Sequence, residues 1–165
     1  MIAHPVGGHR ARSWTVGVGA AGFTLAELLV VLAILGILAA LAYPALAAHV
    51  VKARRAEAQV ALLELMQMQE RYFTRHNSYQ AFDANTGGAP GQTPKWYSGG
   101  TPASSAYELS GKACPGKSLA HCIELNAIPG TQRVDATFRD NDCQSLMLDS
   151  EGRRSASGPA AGCWP

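Results

Sequence analysis

The chain has 165 residues, 47% hydrophobic and 16% charged, with four cysteines and a formal net charge of +2. That length suits one ordinary domain. So much apolar and so little charged content excludes a disordered chain, and 17 glycines with 9 prolines are too few for a collagen-like one. Arg10 and Arg12 are the only charged side chains ahead of Glu27, so beyond residue 22 the chain is formally neutral. Net charge alone therefore does not predict capture of a polyanion.

The distribution is uneven. Apolar residues crowd one early block, and all the cysteines come late. From Leu28 to Ala48 the sequence LLVVLAILGILAALAYPALAA holds 21 residues without a charge. As a helix rising ~1.5 Å per residue it spans about 30 Å, the thickness of a bilayer's hydrocarbon core. It is too long for the apolar part of a cleaved secretory signal, and it runs on into a helical pattern. Pro44 predicts a kink or local melting. Glu27 stands at the edge of the block. A carboxylate inside a bilayer costs on the order of 3 kcal/mol, so it either sits at the interface or gains a partner on assembly.

The segment GFTLAELLVVLAILGILAALAYPAL closely resembles the N-terminus of type IV pilins and the related pseudopilins. It combines Gly22, Phe23, a glutamate four residues later, a long apolar helix, and Pro44 near its end. The resemblance implies cleavage between Gly22 and Phe23 by a membrane prepilin peptidase on the cytoplasmic side. The same enzyme would methylate the new amine of Phe23. It also implies that Glu27 pairs with the Phe23 amine of a neighbouring subunit, in an interior where an unpaired charge is penalised. Arg10 and Arg12 favour a cytoplasmic start. SWTVGVGAA separates them from Gly22, whereas the family's leaders are usually short and basic. The expected domains are a leader over 1–22, a long helix over 23–75 with 23–48 as membrane and filament-core segment, and a head over 76–165.

Placed at 100° per step, the stretch after Ala48 puts Val51, Ala58, Ala61, Leu62, Leu65, Met66, Met68, Tyr72 and Phe73 on one apolar arc. Lys52, Glu57, Gln59, Glu64, Gln67, Glu70 and Arg71 take the other side, and Arg54, Arg55 and Gln69 break the apolar arc. The arc predicts burial against a sheet, with Met66 and Met68 as gap-filling core. Lys52, Arg54 and Arg55 are expected at the membrane boundary. Ala56, Val60 and Leu63 form a smaller stripe suited to neighbouring helices.

Asp83 to Ser105 is rich in Gly, Pro, Ser and Thr and reads as a loop, with Trp96 and Tyr97 pinning it to the head. Partial alternation predicts strands at Tyr107–Ser110, Cys122–Ile128, Val134–Phe138 and Ser145–Asp149, the last opening a hairpin that turns at Ser150–Gly152. The expected fold is α+β and type IV pilin-like: a long N-terminal helix packed on a small antiparallel β-sheet.

Cys114, Cys122, Cys143 and Cys163 contain no CxxC, which argues against a zinc or thioredoxin-like site. A head beyond the inner membrane meets an oxidising compartment, and four cysteines allow three pairings. Cys114–Cys122 across a local strand connection is favoured. Cys143–Cys163 is favoured because the tail resembles the disulfide-bounded C-terminus of PilE-class minor pilins.

No Ser/His/Asp or Cys/His spacing, dinucleotide fingerprint or P-loop is present, so no enzyme activity, cofactor or metal is expected. Asp140, Asp142, Asp149 and Glu151 lack the alternating oxygens of a calcium loop and read as solvated turn carboxylates. The resemblance implies a minor pilin of a type IV pilus, serving adhesion, twitching motility or DNA uptake. It would rest in the inner membrane in a single pass with its head periplasmic, in contact with lipid, and then enter an extracellular pilus. Its partners would be other pilin subunits, the prepilin peptidase and an inner-membrane assembly platform. The alternatives are a pilin-type receptor for DNA or a surface, with Lys112, Lys117, Arg153 and Arg154 as nucleic-acid contacts, and a type II secretion pseudopilin.

Overall fold

The computed structural model describes residues 22–86 and 94–165. The expected leader, apart from Gly22, and residues 87–93 of the long loop lie outside the described residues. Contacts divide the chain into two units, 1–42 and 43–165.

Helix α1 covers Leu25–His76. Thr24 starts it: its Oγ1 accepts from the Glu27 amide at 3.2 Å and its carbonyl accepts from Leu28, satisfying donors that a helix start leaves open. Asn77 ends it at φ +51°, with its amide donating to the Phe73 carbonyl at 2.8 Å. Asparagine tolerates that left-handed end better than most residues. The helical backbone continues through Pro44, without the local melting expected there.

In the first unit, Phe23, Leu25, Leu28, Leu29, Val30, Val31, Leu32, Ile34, Leu35, Ile37 and Leu38 are all exposed. Taken over the described residues, no helix is long and apolar enough to cross a membrane.

The second unit holds four strands, β1 (Tyr107–Ala113), β2 (Ile123–Pro129), β3 (Leu146–Asp149) and β4 (Arg154–Ala156). They pair antiparallel in chain order. Side chains alternate across the sheet: Tyr107, Leu109, Ile123, Leu125 and Ala127 point inward and are buried, while Glu108, Ser110, Lys112, Glu124, Asn126 and Ile128 face out. The inner face packs with Ala58, Ala61, Leu62 and Leu65 of α1, and Met66, Met68 and Phe73 border that core. The architecture is the α+β one expected.

The open edge of β1 is covered by the long loop. Phe82 exchanges both backbone hydrogen bonds with Gly111, at 3.0 and 2.9 Å, Leu109 donates to the Trp96 carbonyl, and Ser98 donates to Tyr107. Edge backbone left bare invites pairing with another chain. Trp96 and Tyr97 pin the loop through main chain, the Trp96 carbonyl accepting from Leu109 and Tyr97 bridging to Glu108.

Val134–Phe138 is not a strand. Val134 donates to the Thr131 carbonyl and Phe138 to the Asp135 carbonyl, as in successive turns, and Asp135 Oδ1 accepts from both the amide and the hydroxyl of Thr137. An aspartate that satisfies nearby backbone locally offers it an alternative to a ladder. The alternation of Val134, Ala136 and Phe138 was too short to outweigh that.

Candidate functional site

Processing and assembly residues come first in the chain. Gly22 and Phe23 precede α1, Phe23 is 77% exposed, and Glu27 lies exposed in the first helical turn. A carboxylate there faces the positive end of the helix dipole.

The four cysteines form two disulfides, Cys114–Cys122 with Cα atoms 5.4 Å apart and Cys143–Cys163 with Cα atoms 5.6 Å apart. The first closes the β1–β2 connection. The second fastens the C-terminal segment beside the stretch leading into β3. There Ser157, Gly158 and Ala160 donate to the carbonyls of Ser145, Cys143 and Asp142. Cys114, Cys122 and Asp149 approach one point, but both sulfurs are consumed in the disulfide and offer no thiolate to a metal.

Lys112, Lys117, Arg153 and Arg154 are gathered at one end of the sheet. Lys112 is the last residue but one of β1, Lys117 lies in the disulfide-closed connection, Arg153 precedes β4 and Arg154 begins it. Each of the first three has a carboxylate. Lys112 Nζ is 3.6 Å from Glu124, Lys117 pairs with Glu151, and Arg153 reaches Asp149 at 2.6 Å and Glu151 at 3.2 Å. Glu124 and Asp149 face each other across β2 and β3. Burial raises the Asp149 carboxyl, but the Arg153 guanidinium and the amides of Arg153 and Glu151 outweigh it and hold it below the usual range. Arg154 has no ion pair among the described residues; its guanidinium lies 5.7 Å from the Trp164 ring centre. At this end is a hollow of about 460 Å³ lined by Glu124, Asp149, Arg153 and Arg154 with Pro115, Met147 and Ser155; Lys112 and Lys117 do not line it.

The carboxylates expected to be solvated are not all so. Asp140 is 3% and Asp149 7% exposed. Asp140 takes Nε and Nη2 of Arg55 at 2.8 and 2.7 Å, the Tyr107 hydroxyl at 2.6 Å and the Cys143 amide at 3.1 Å. Burial opposes its charge, and those donors more than offset the penalty, so its carboxyl titrates below the usual range. Burial first, then hydrogen bonding to this carboxylate, raises the Tyr107 hydroxyl far above its ordinary value. Arg55 is thus tied into the head through Asp140. Gln69, the other buried polar residue of the arc, donates to the Gln80 carbonyl and accepts from its amide, both at 2.9 Å. Both residues break the apolar arc in sequence, and in the fold these breaks are where α1 is joined to the rest of the head.

A processed-type N-terminus, a long helix carrying a buried-face arc, a four-stranded antiparallel sheet and a disulfide-fastened tail define a type IV pilin subunit. Residues 19–43 match the prokaryotic N-terminal methylation motif. Residues 44–147 match the family described as type IV minor pilin ComP, DNA uptake sequence receptor, and the chain belongs to that family. It is a type IV minor pilin, of a family of structural and receptor proteins. Among solved structures, the non-core minor pilin PilV of Neisseria meningitidis aligns at 21% identity and a TM-score of 0.44, over 70% of this chain and 94% of that one. No curated protein sequence matches the chain.

Proposed function

We propose that this minor pilin is cut between Gly22 and Phe23 by prepilin peptidase and methylated on the Phe23 amine. It then waits in the inner membrane as a single pass, with its head in the periplasm. The assembly platform draws it into an extracellular pilus, where residues 23–48 exchange lipid for the helices of other pilins. Ala33, Gly36, Ala39 and Ala40 permit close helix approach. Glu27 meets the amine of a neighbouring subunit, so that the charge is paired when it leaves the interface. The exposed apolar side chains of Phe23 to Leu38 support this reading, since they need either lipid or protein cover.

Within the filament the head acts as a receptor for DNA. The observation that carries this is the family match, which spans most of the head and is to a family described as a DNA uptake sequence receptor. The head's near-neutral balance means that binding depends on local cations, not on net charge.

Mass spectrometry of shed filaments tests the assembly role: the chain is expected there with methylated Phe23 at its N-terminus. Glu27→Ala, or a bulky replacement of Gly22, is expected to remove it from filaments while it remains in the cell envelope. Normal incorporation of either variant overturns that mechanism. The receptor role is tested with the full chain in detergent. It is expected to retard duplex DNA at low salt, with retardation fading as salt rises; no retardation at low salt removes the receptor role and leaves the filament role intact.

A further inference from the structure

The basic residues at the sheet end are mostly occupied, and another basic surface is not. Arg71 and Arg75 are exposed on α1, one turn apart, about 6 Å at 1.5 Å per residue. Lys95 is exposed on the segment that leads to the β1 edge. Two adjoining hollows connect them. One, of about 230 Å³, is lined by Arg71, Arg75 and the stacked rings of Tyr72 and His76. The other, of about 300 Å³, is lined by Arg71, Lys95 and Leu109, and Met68 belongs to both.

None of these three cations makes an ion pair among the described residues. Among the described residues, Lys95 Nζ has the Ser98 carbonyl at 3.5 Å and the Tyr97 ring centre at 4.8 Å. Glu70, next to Arg71 in sequence, is engaged by the Tyr79 hydroxyl at 2.9 Å. Glu64 is the one acid lining either hollow. Two like charges at i and i+4 weaken a helix slightly. The helix dipole gives a structural reason for Arg75 in the last turn, but not for Arg71.

The geometry points to this groove between α1 and the Pro94–Trp96 segment as the surface that takes the phosphodiester backbone of duplex DNA. The inference rests on the receptor reading above and relocates its contacts. Phosphates on one strand advance about 3.4 Å per nucleotide along the helix axis, so two arginines about 6 Å apart span one to two phosphate steps, and Lys95 lines the hollow beside Arg71. Lys112, Lys117 and Arg153, by contrast, would first have to give up their carboxylates.

The test uses the full chain in detergent and a fluorescent DNA duplex of mixed sequence, titrated at several salt concentrations. Replacing Arg71, Arg75 and Lys95 together by alanine is expected to weaken binding by roughly tenfold or more. It should also flatten the slope of log K against log salt by about 2.7, at ~0.9 per phosphate contact. All three side chains are exposed, so an unchanged melting curve separates lost contacts from lost fold. Arg71→Lys with Arg75→Lys is expected to retain the slope. Replacing Lys112, Lys117 and Arg153 by alanine is expected to change affinity less than threefold. The reverse ranking of the two alanine sets overturns the groove while leaving the receptor reading in place. A wild-type chain that does not bind the duplex overturns both.

Discussion

Arg55 and Asp140, 85 positions apart, meet in a two-pronged ion pair whose carboxylate is fully shielded and whose guanidinium is 12% exposed. The pair joins the middle of α1 to the residues just before the Cys143–Cys163 clasp, with Tyr107 of β1 as third member. Such a pair is not a strong net stabiliser, because desolvating both charges offsets most of their attraction. Breaking it by halves is another matter. Asp140→Asn takes the two-pronged partner from a largely buried guanidinium and leaves it only Asp142, 3.7 Å away and 72% exposed, so the expected loss is about 3 kcal/mol, the low end for a broken buried pair. Denaturant unfolding of the full chain checks this. Adding Arg55→Met to the same chain is expected to recover part of the loss; a double variant that loses the sum of the two singles would show that the residues do not interact.

The same carboxylate sets an acid limit. Its pKa is lowered in the folded chain, as is that of Asp149. A group whose folded pKa lies below its unfolded value contributes stability above the unfolded value, near 3.9 for aspartate, and loses it as pH falls through the folded value. The head is therefore expected to hold its stability from neutral pH down to about pH 5 and to lose it increasingly below about pH 4. Melting temperatures taken across that range check the sign. In Asp140→Asn the acid-side decline is expected to be shallower, because one of the protons driving it has no site to occupy.

Gln69 is 1% exposed, and its amide serves both backbone groups of Gln80. Gln69→Met keeps the volume but leaves a buried donor and acceptor unpaired. Each orphan costs about 1–3 kcal/mol, so a loss of about 2–6 kcal/mol is expected. Faster hydrogen exchange at the Gln80 amide, relative to Gly111 in the sheet, is the local readout. Equal protection of Gln80 in both proteins would mean that the side chain is not what holds the crossing from α1 to the loop.

How much was legible in advance follows from which forces act locally. The arc of Ala58, Ala61, Leu62 and Leu65 was legible because helix periodicity and burial share one geometry. Alternation in β1 and β2 was legible for the same reason. Glu27 drew notice because a charge beside a long apolar run needs an explanation. What escaped were partnerships set by the tertiary fold. Arg55 looked like a boundary cation because Asp140 lies so far along the chain. Lys112, Lys117 and Arg153 looked available because Glu124, Glu151 and Asp149 could not be assigned to them from spacing. Val134–Phe138 misled because two-residue alternation says nothing about a hydroxyl and an aspartate that close a turn between them.

The two disulfides are expected to differ in weight. On the chain-entropy account, stabilisation grows with the loop closed, so Cys143–Cys163, with a separation of 20, contributes about 3 kcal/mol and Cys114–Cys122, with a separation of 8, somewhat less. The larger loop also has a contact that no side chain fits. Gly158 lies so close to the preceding stretch that an added Cβ would reach the Asp142 carbonyl and come within 2.5 Å of the Cys143 carbonyl carbon. Both neighbours are backbone, held by the Gly158 and Ala160 hydrogen bonds to Cys143 and Asp142, so neither can swing aside as a flexible side chain would. Gly158→Ala is expected to cost at least about 1–3 kcal/mol through overpacking. In a chain carrying Cys143→Ser and Cys163→Ser the segment can lift away, and the same replacement is expected to cost less. Unfolding measured for the four chains of this cycle decides it: a full-sized alanine penalty without the disulfide would mean that the clasp does not press the C-terminal segment against Asp142 and Cys143.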